Sequence, residues 1–192
     1  MARPRLSAAA LVAATLSCAA TARADAVSDA LEAAQAAYAA GDLTATSHGI
    51  AEASAALSAL QSAELLALLP PAPDGWTRSE NTDMTASMIV VGGGSGIEAT
   101  YTTPQGVTFT LVILADNPMV TSVKEMFANE MLVTMMGGAK PIGGASYLAQ
   151  DERSLMTLVD DRLIVQASGA PVAVMEPVLA RIDHAALAAY GK

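Results

Sequence analysis

Cysteine and histidine are both scarce in this chain. The single cysteine, Cys18, lies in a segment that we expect to be removed, so the rest of the protein has no disulfide and no thiolate for catalysis or metal binding. His48 and His184 are the only histidines, too few for a multi-histidine metal site within one chain. Stability must come from packing, for which 53% hydrophobic residues suffice at this length.

Positive charge is the next scarcity. The chain has ten lysines and arginines against nineteen acidic residues. Arg3, Arg5 and Arg23 precede Asp25, whereas every acidic residue lies at or after Asp25. A chain starting at Asp25 therefore has seven basic and nineteen acidic residues, a net charge of −12. Such a surface repels phosphate backbones and anionic lipids, which excludes nucleic acid as a partner.

The amino terminus has the pattern of a secretory signal peptide. The basic stretch "MARPR" precedes the short apolar run "LSAAALVAATLSCAA", and Ala22 and Ala24 form an A-x-A cleavage site in "TARAD". We predict a signal peptide at residues 1–24, cleavage after Ala24, a periplasmic location and no membrane span in the mature chain. The weaker alternative is a lipoprotein acylated at Cys18, because Thr15 stands where that signal has an aliphatic residue.

Residues 25–69 are rich in alanine and leucine and contain no proline. Helical spacing predicts one apolar stripe on each of two helices that are separated near Gly41. The stripes are Val27, Leu31, Ala34 and Tyr38, then Leu43, Ile50 and Leu57. We therefore predict an antiparallel helical hairpin that packs on the rest of the protein.

The turn of this hairpin resembles one tetratricopeptide repeat. The run "AAQAAYAAGDLTAT" places Tyr38, Gly41, Asp42 and Ala45 where that repeat has its turn and close helix contact. Stable arrays need about three repeats, so we favour ordinary hairpin packing over a peptide-binding groove.

The composition changes after "LLPPAPDGWT", where we predict a linker and turn at residues 70–83. Residues 84–192 predict six strands and two further helices in the order βββα-βββα, an α+β domain on a mostly antiparallel sheet. The strands are "MTASMIVV", residues 97–102, residues 107–114, "IGGASYLA", "SLMTLV" and "LIVQAS". Residues 107–114 are apolar on both faces in their later half and predict an internal strand. The helices are residues 119–136 and a last helix from near Pro177 towards Tyr190.

Several segments together resemble a family of uncharacterised exported bacterial proteins. They are "LPPAPDGWT", "LADNPM", "IGG" at residues 142–144, and "RLIVQASG" with "RID". The order of strands and helices is also similar to the PsbP/Mog1-like fold, shared by the photosystem extrinsic subunit PsbP and Mog1. The resemblance implies an adaptor-like protein without chemistry of its own.

The segment "EMFANEMLVTMM" holds four methionines in twelve residues. On one helix from 119 to 136, Met131 and Met135 share a face with Val120, Val123 and Phe127, which predicts that they fill the core. Met126 and Met136 are then the exposed methionines. The alternative is a copper(I) or apolar-ligand site formed by thioethers. Its candidate residues are Met84, Met88, Met131 and Met135.

Motifs for catalysis are incomplete. "GGGSG" lacks the "GK[ST]" of a phosphate loop, and Ile97 stands where G-x-S-x-G needs its second glycine, so we predict a hairpin turn. Ser95, an aspartate and His184 occur in hydrolase order, which leaves a hydrolase-like enzyme as the third hypothesis.

We therefore predict a non-catalytic periplasmic binding or accessory protein that acts on another envelope protein, without a cofactor and with its oligomeric state open. The predicted contact site is "DGW", Asp74 to Trp76, which holds the only tryptophan. The alternative places Trp76 as a buried plug between hairpin and sheet. The second functional hypothesis is a carrier of a small apolar ligand or copper(I).

Overall fold

The computed structural model describes residues 26–81 and 94–192. The described residues divide into two compact units, one ending at Leu60 and the other beginning at Gln61. Helix α1 spans residues 26–39 and helix α2 spans Leu43–Leu68, so the division falls within α2. The predicted pair of helices is confirmed. Gly41 has a φ of 79° at the turn, and the carboxylate of Asp42 caps α2 by accepting a hydrogen bond from the Ala45 N–H at 2.9 Å.

The second unit contains an antiparallel sheet in which seven strands are described, with the order β1-β2-β3-β7-β6-β5-β4. Every neighbouring pair is antiparallel, which confirms the predicted α+β class and sheet type. The strands are β1 Thr77–Asn81, β2 Ser95–Thr102, β3 Thr108–Ala115, β4 Ala139–Ile142, β5 Ala145–Asp151, β6 Ser154–Val159 and β7 Leu163–Ser168.

The strand count differs from the six predicted at two places. Strand β1 lies inside the predicted linker. It was not predicted as a strand because its sequence "TRSEN" has no apolar alternation. The predicted strand "IGGASYLA" is two strands, since Gly143 and Gly144 turn the chain with φ values of 58° and 86°. The predicted strand "MTASMIVV" lies outside the described residues.

Four further helices are described in this unit: α3 Met119–Ala128 and α4 Glu130–Met135 lie between β3 and β4, and α5 Val172–Leu179 and α6 His184–Ala189 follow β7. The prediction of one helix from 119 to 136 is wrong. Asn129 adopts an extended conformation, and its side chain starts α4 by accepting a hydrogen bond from the Leu132 N–H at 3.1 Å. The last helical region begins at Val172, earlier than predicted, with Pro177 inside α5.

The two faces of the sheet bury separate clusters. On one face, Leu111 and Ile113 of β3 join the larger core with α5, α6 and the end of α2. On the other face, Leu114 joins a smaller cluster beneath α3. Strand β3 pairs with both β2 and β7, so the prediction that it is internal is confirmed. None of the described helices is long and apolar enough to cross a membrane.

Candidate functional site

The contact between α1 and α2 is made by small residues. Ala34 of α1 and Ala53 of α2 are buried, at 6% and 5% exposure. Gly49 faces Ala34 so closely that a Cβ at position 49 would lie 2.9 Å from the Ala34 Cβ. Leucine side chains at these positions would hold the helices further apart, so the close approach depends on glycine and alanine.

Five large apolar side chains of the same two helices remain exposed. We call this set the hairpin face, and it consists of Leu31, Tyr38, Leu43, Ile50 and Leu57, with exposures of 52%, 68%, 70%, 55% and 47%. The residues on each helix are seven positions apart, so each group forms a line along its helix. The predicted stripes therefore exist, but of their residues only Ala34 is buried.

Both lines lie on the same flank of the hairpin. At 100° per residue, Leu31 and Tyr38 are about 40–60° from Ala34, and Ile50 and Leu57 are displaced by a similar angle from Ala53. The opposite flank carries an open groove of about 540 Å³. It is lined by Ala26, Asp29, Ala30, Ala33, Glu52, Ala55 and Ala56. The hairpin thus has one flank of large apolar side chains and one of alanines with two carboxylates.

Charge on the hairpin has one sign. Residues 26–60 contain four acidic side chains and neither lysine nor arginine. The four are Asp29, Glu32, Asp42 and Glu52, and the imidazole of His48 lies 3.5 Å from the last of them. An apolar partner with positive charge is therefore favoured over a negatively charged one.

The methionine segment is placed contrary to expectation. Met131 and Met135 are 75% and 79% exposed, so the prediction that they fill the core is wrong. Met126, predicted to be exposed, is half-buried against the smaller cluster. The break at Asn129 explains the exposure of Met131 and Met135, because residues after it no longer continue the helical phase of α3. Met84 and Met88 lie outside the described residues.

The "DGW" segment is exposed at Asp74 and Gly75, whereas Trp76 is half-buried. The indole packs on the larger core, with its ring centroid 6.5 Å from that of Phe109 in an edge-to-face arrangement. Part of the indole therefore has a structural role.

Two polar side-chain pairs of the second unit, one buried and one partly buried, were not predicted. The Ser95 and Tyr190 hydroxyls lie 2.8 Å apart, and the Tyr147 hydroxyl lies 3.0 Å from Nε2 of His184. Burial raises the pKa values of both tyrosines and lowers the pKa of His184. Ser95 and His184 thus bond to different tyrosines, and this geometry gives the hydrolase hypothesis no support. The partners are 37 and 95 positions apart, so no local pattern marks them.

Two adjacent carboxylates lie in the exposed turn between β6 and β7. Asp160 and Asp161, between β6 and β7, have φ values of 52° and 54°, and each forms an ion pair, with Lys192 and Lys124 respectively. The hydrogen bond from Lys192 lowers the pKa of Asp160. Across residues 26–81 and 94–192, no group of three or more histidine and acidic side chains is arranged to hold a metal ion.

Comparison with protein-family models, curated proteins and solved structures gave no match. The resemblances to exported bacterial proteins and to the PsbP/Mog1-like fold therefore stay predictions. The features that bear on function are the hairpin face and the exposed methionines.

Proposed function

We propose that this chain is a non-catalytic binding or accessory protein of the bacterial periplasm that acts on another envelope protein. The observation that supports this proposal is the hairpin face, whose five large apolar side chains are about half to two-thirds exposed. Leaving such side chains in water is unfavourable, and the cost is recovered when a partner covers them.

The size of the hairpin face supports the same proposal. A large side chain carries on the order of 200 Å² of surface, so five at these exposures present roughly 600 Å². The largest apolar patch on a typical monomeric protein is roughly 300–600 Å² and is often functional, and the hairpin face is comparable to such a patch.

The periplasmic part of the proposal depends on export. The intact mass of protein recovered from the periplasm should correspond to a chain that starts at Asp25. A species that starts at a diacylated Cys18 would contradict this start and place the protein at a membrane.

The accessory role is tested by recovering the partner at native expression level. The parent protein should retain one envelope protein in stoichiometric amount, identified by mass and rebound after separate purification. Ile50→Gln places a polar side chain within the hairpin face and should lose this partner. Ala51→Gln is the matched control, because residue 51 is exposed on the same helix and lies outside the hairpin face. Recovery of no stoichiometric protein would contradict the proposed function.

The second candidate function, a carrier of copper(I) or of a small apolar ligand, is favoured by Met131 and Met135. Their sulfur-bearing side chains are exposed one helical turn apart, where both are accessible to a soft metal ion. A competition titration with a copper(I) chelator should then show one tightly held ion. Its loss in Met131→Leu/Met135→Leu, but not in Met156→Leu, would favour the carrier. Absence of tight binding by the parent would rule out the copper form of this function.

A further inference from the structure

We propose that the hairpin face docks a basic amphipathic helix of the partner protein. The apolar side of that helix covers Ile50 and its neighbours, and its lysines or arginines lie beside Glu32 and Asp42, the two hairpin carboxylates that do not line the opposite groove. This inference rests on the proposed function and specifies its surface and the chemistry of the partner.

The shape of the hairpin face suits one helix. Leu43 and Leu57 are fourteen positions apart on α2, which corresponds to about 21 Å along the helix axis. The line formed by Leu31 and Tyr38 runs on the same flank of α1. The two lines of apolar side chains therefore run side by side along this flank. A partner helix of about four turns spans this length, with anchor residues at i, i+3, i+4 and i+7.

Charge determines which helix is favoured. Residues 26–60 carry four carboxylates and no lysine or arginine, and Glu32 and Asp42 neighbour Leu31 and Leu43 in the chain. Interactions between exposed charges extend over roughly 8 Å at physiological ionic strength, so charges beside the docked helix contribute to affinity and selection. A helix with a basic polar side is attracted, and one with an acidic polar side is repelled.

A second copy of this chain is a poorer occupant because of its charge. It would bring another acid-only hairpin against the first, and at least five of the seven lysines and arginines of residues 61–192 already form ion pairs within the chain.

The test uses the full mature chain and two model peptides of about 18 residues. Both peptides have the same leucine stripe at helical spacing, and their polar positions are all lysine in one and all glutamate in the other. Binding is measured by fluorescence anisotropy at low and high salt with the parent, Ile50→Gln and Ala51→Gln. Circular dichroism and sedimentation establish the fold and oligomeric state of each variant.

The expected result is that the lysine peptide binds at least tenfold more tightly than the glutamate peptide. Its affinity should fall as salt increases, fall at least tenfold in Ile50→Gln, and stay at the parental value in Ala51→Gln. Equal binding of both peptides would overturn the proposed partner chemistry. A parental dimer that Ile50→Gln dissociates would assign the face to a second copy instead.

Two further outcomes would also overturn the inference. A lower melting temperature in Ile50→Gln, but not in Ala51→Gln, would mean that the hairpin face is covered within the chain itself. If Ile50→Gln keeps the natural envelope partner and neither peptide binds, the docking surface lies elsewhere while the accessory function stands. Failure of the proposed function itself is a separate result, namely that no stoichiometric envelope protein is recovered with the parent.

Discussion

Replacing Gly49 with alanine tests the close contact on which the hairpin depends. Alanine is the better helix former, so helix propensity alone predicts that the substitution stabilises α2 by about 1 kcal/mol. The structure predicts the opposite sign. A Cβ at position 49 would lie 2.9 Å from the Ala34 Cβ and 3.0 Å from both the Cα and the backbone nitrogen of Ala34.

The size of the expected destabilisation depends on which atoms must move to make room for the new Cβ. Two of the three opposing atoms belong to the α1 backbone, so a change of side-chain rotamer relieves nothing and the helices must separate. Overpacking of this kind costs about 1–3 kcal/mol, against which the propensity gain offsets about 1 kcal/mol. We therefore expect Gly49→Ala to lower the free energy of unfolding of the hairpin by about 1 kcal/mol.

The assay follows thermal unfolding with two probes. Circular dichroism at the helical band reports chiefly on the long helices, and the fluorescence of Trp76, the only tryptophan, reports on the second unit. Ala51→Gly is the control, because residue 51 is exposed on the same helix. This variant should lower the free energy of unfolding by about 1 kcal/mol, which measures the helix-propensity difference between alanine and glycine at a position without a close helix contact. A higher melting temperature of the hairpin in Gly49→Ala would refute the close contact.

The other predictions concern buried groups and the methionines. Tyr101→Phe should destabilise the second unit by about 1 kcal/mol in urea unfolding, because it removes a buried hydroxyl that donates a hydrogen bond to the Pro70 carbonyl at 2.6 Å. Burial raises the pKa of Tyr101 to about 12, so this hydroxyl stays protonated at neutral pH. The parent should lose stability as the pH falls below about 6.5, since burial lowers the pKa of His184 and the unfolded chain then binds more protons. His184→Gln should reduce this dependence in melts from pH about 7 to 5. Met131→Leu/Met135→Leu should change stability by less than about 0.5 kcal/mol, because both side chains are exposed.

Each of these outcomes has a control or a contrary result. Tyr38→Phe removes an exposed hydroxyl and should leave the unfolding free energy at the parental value, so an equal loss in both tyrosine variants would contradict the role of the Tyr101 hydrogen bond. An unchanged pH dependence in His184→Gln would assign the proton uptake to other groups. A loss above about 2 kcal/mol in the double methionine variant would mean that these side chains are packed.

Much of the sheet was predictable because the spacing of apolar residues in its strands indicates which faces are buried. In β3, Phe109, Leu111 and Ile113 alternate with more polar positions at first, and Leu114 then adds a second apolar face, which correctly indicated an internal strand. Strand β1 was not predicted because "TRSEN" pairs with β2 through its backbone, and its mostly exposed side chains show no apolar alternation.

The candidate site was less predictable. The heptad lines of the hairpin face were visible in the sequence, but apolar spacing predicts a stripe without indicating what covers it. The helix contact is instead formed around Ala34, Gly49 and Ala53, whose small side chains carry little hydrophobic signal yet allow the closest approach. The prediction that Met131 and Met135 are buried was wrong for a local reason. The capping residue Asn129 ends α3, and the residues after it no longer follow the helical phase of α3.

The sequence by itself determined the α+β class, the pair of helices in residues 26–68 and the acid-only charge of the hairpin. Composition and short-range periodicity carry this information, because they depend on which residues are present and on neighbours within a few positions. The tertiary structure alone decided the strand order, the tyrosine pairs of Ser95 and His184, and which apolar side chains stay exposed. These depend on contacts between residues far apart in the chain, and burial is a property of the packed arrangement rather than of any residue alone.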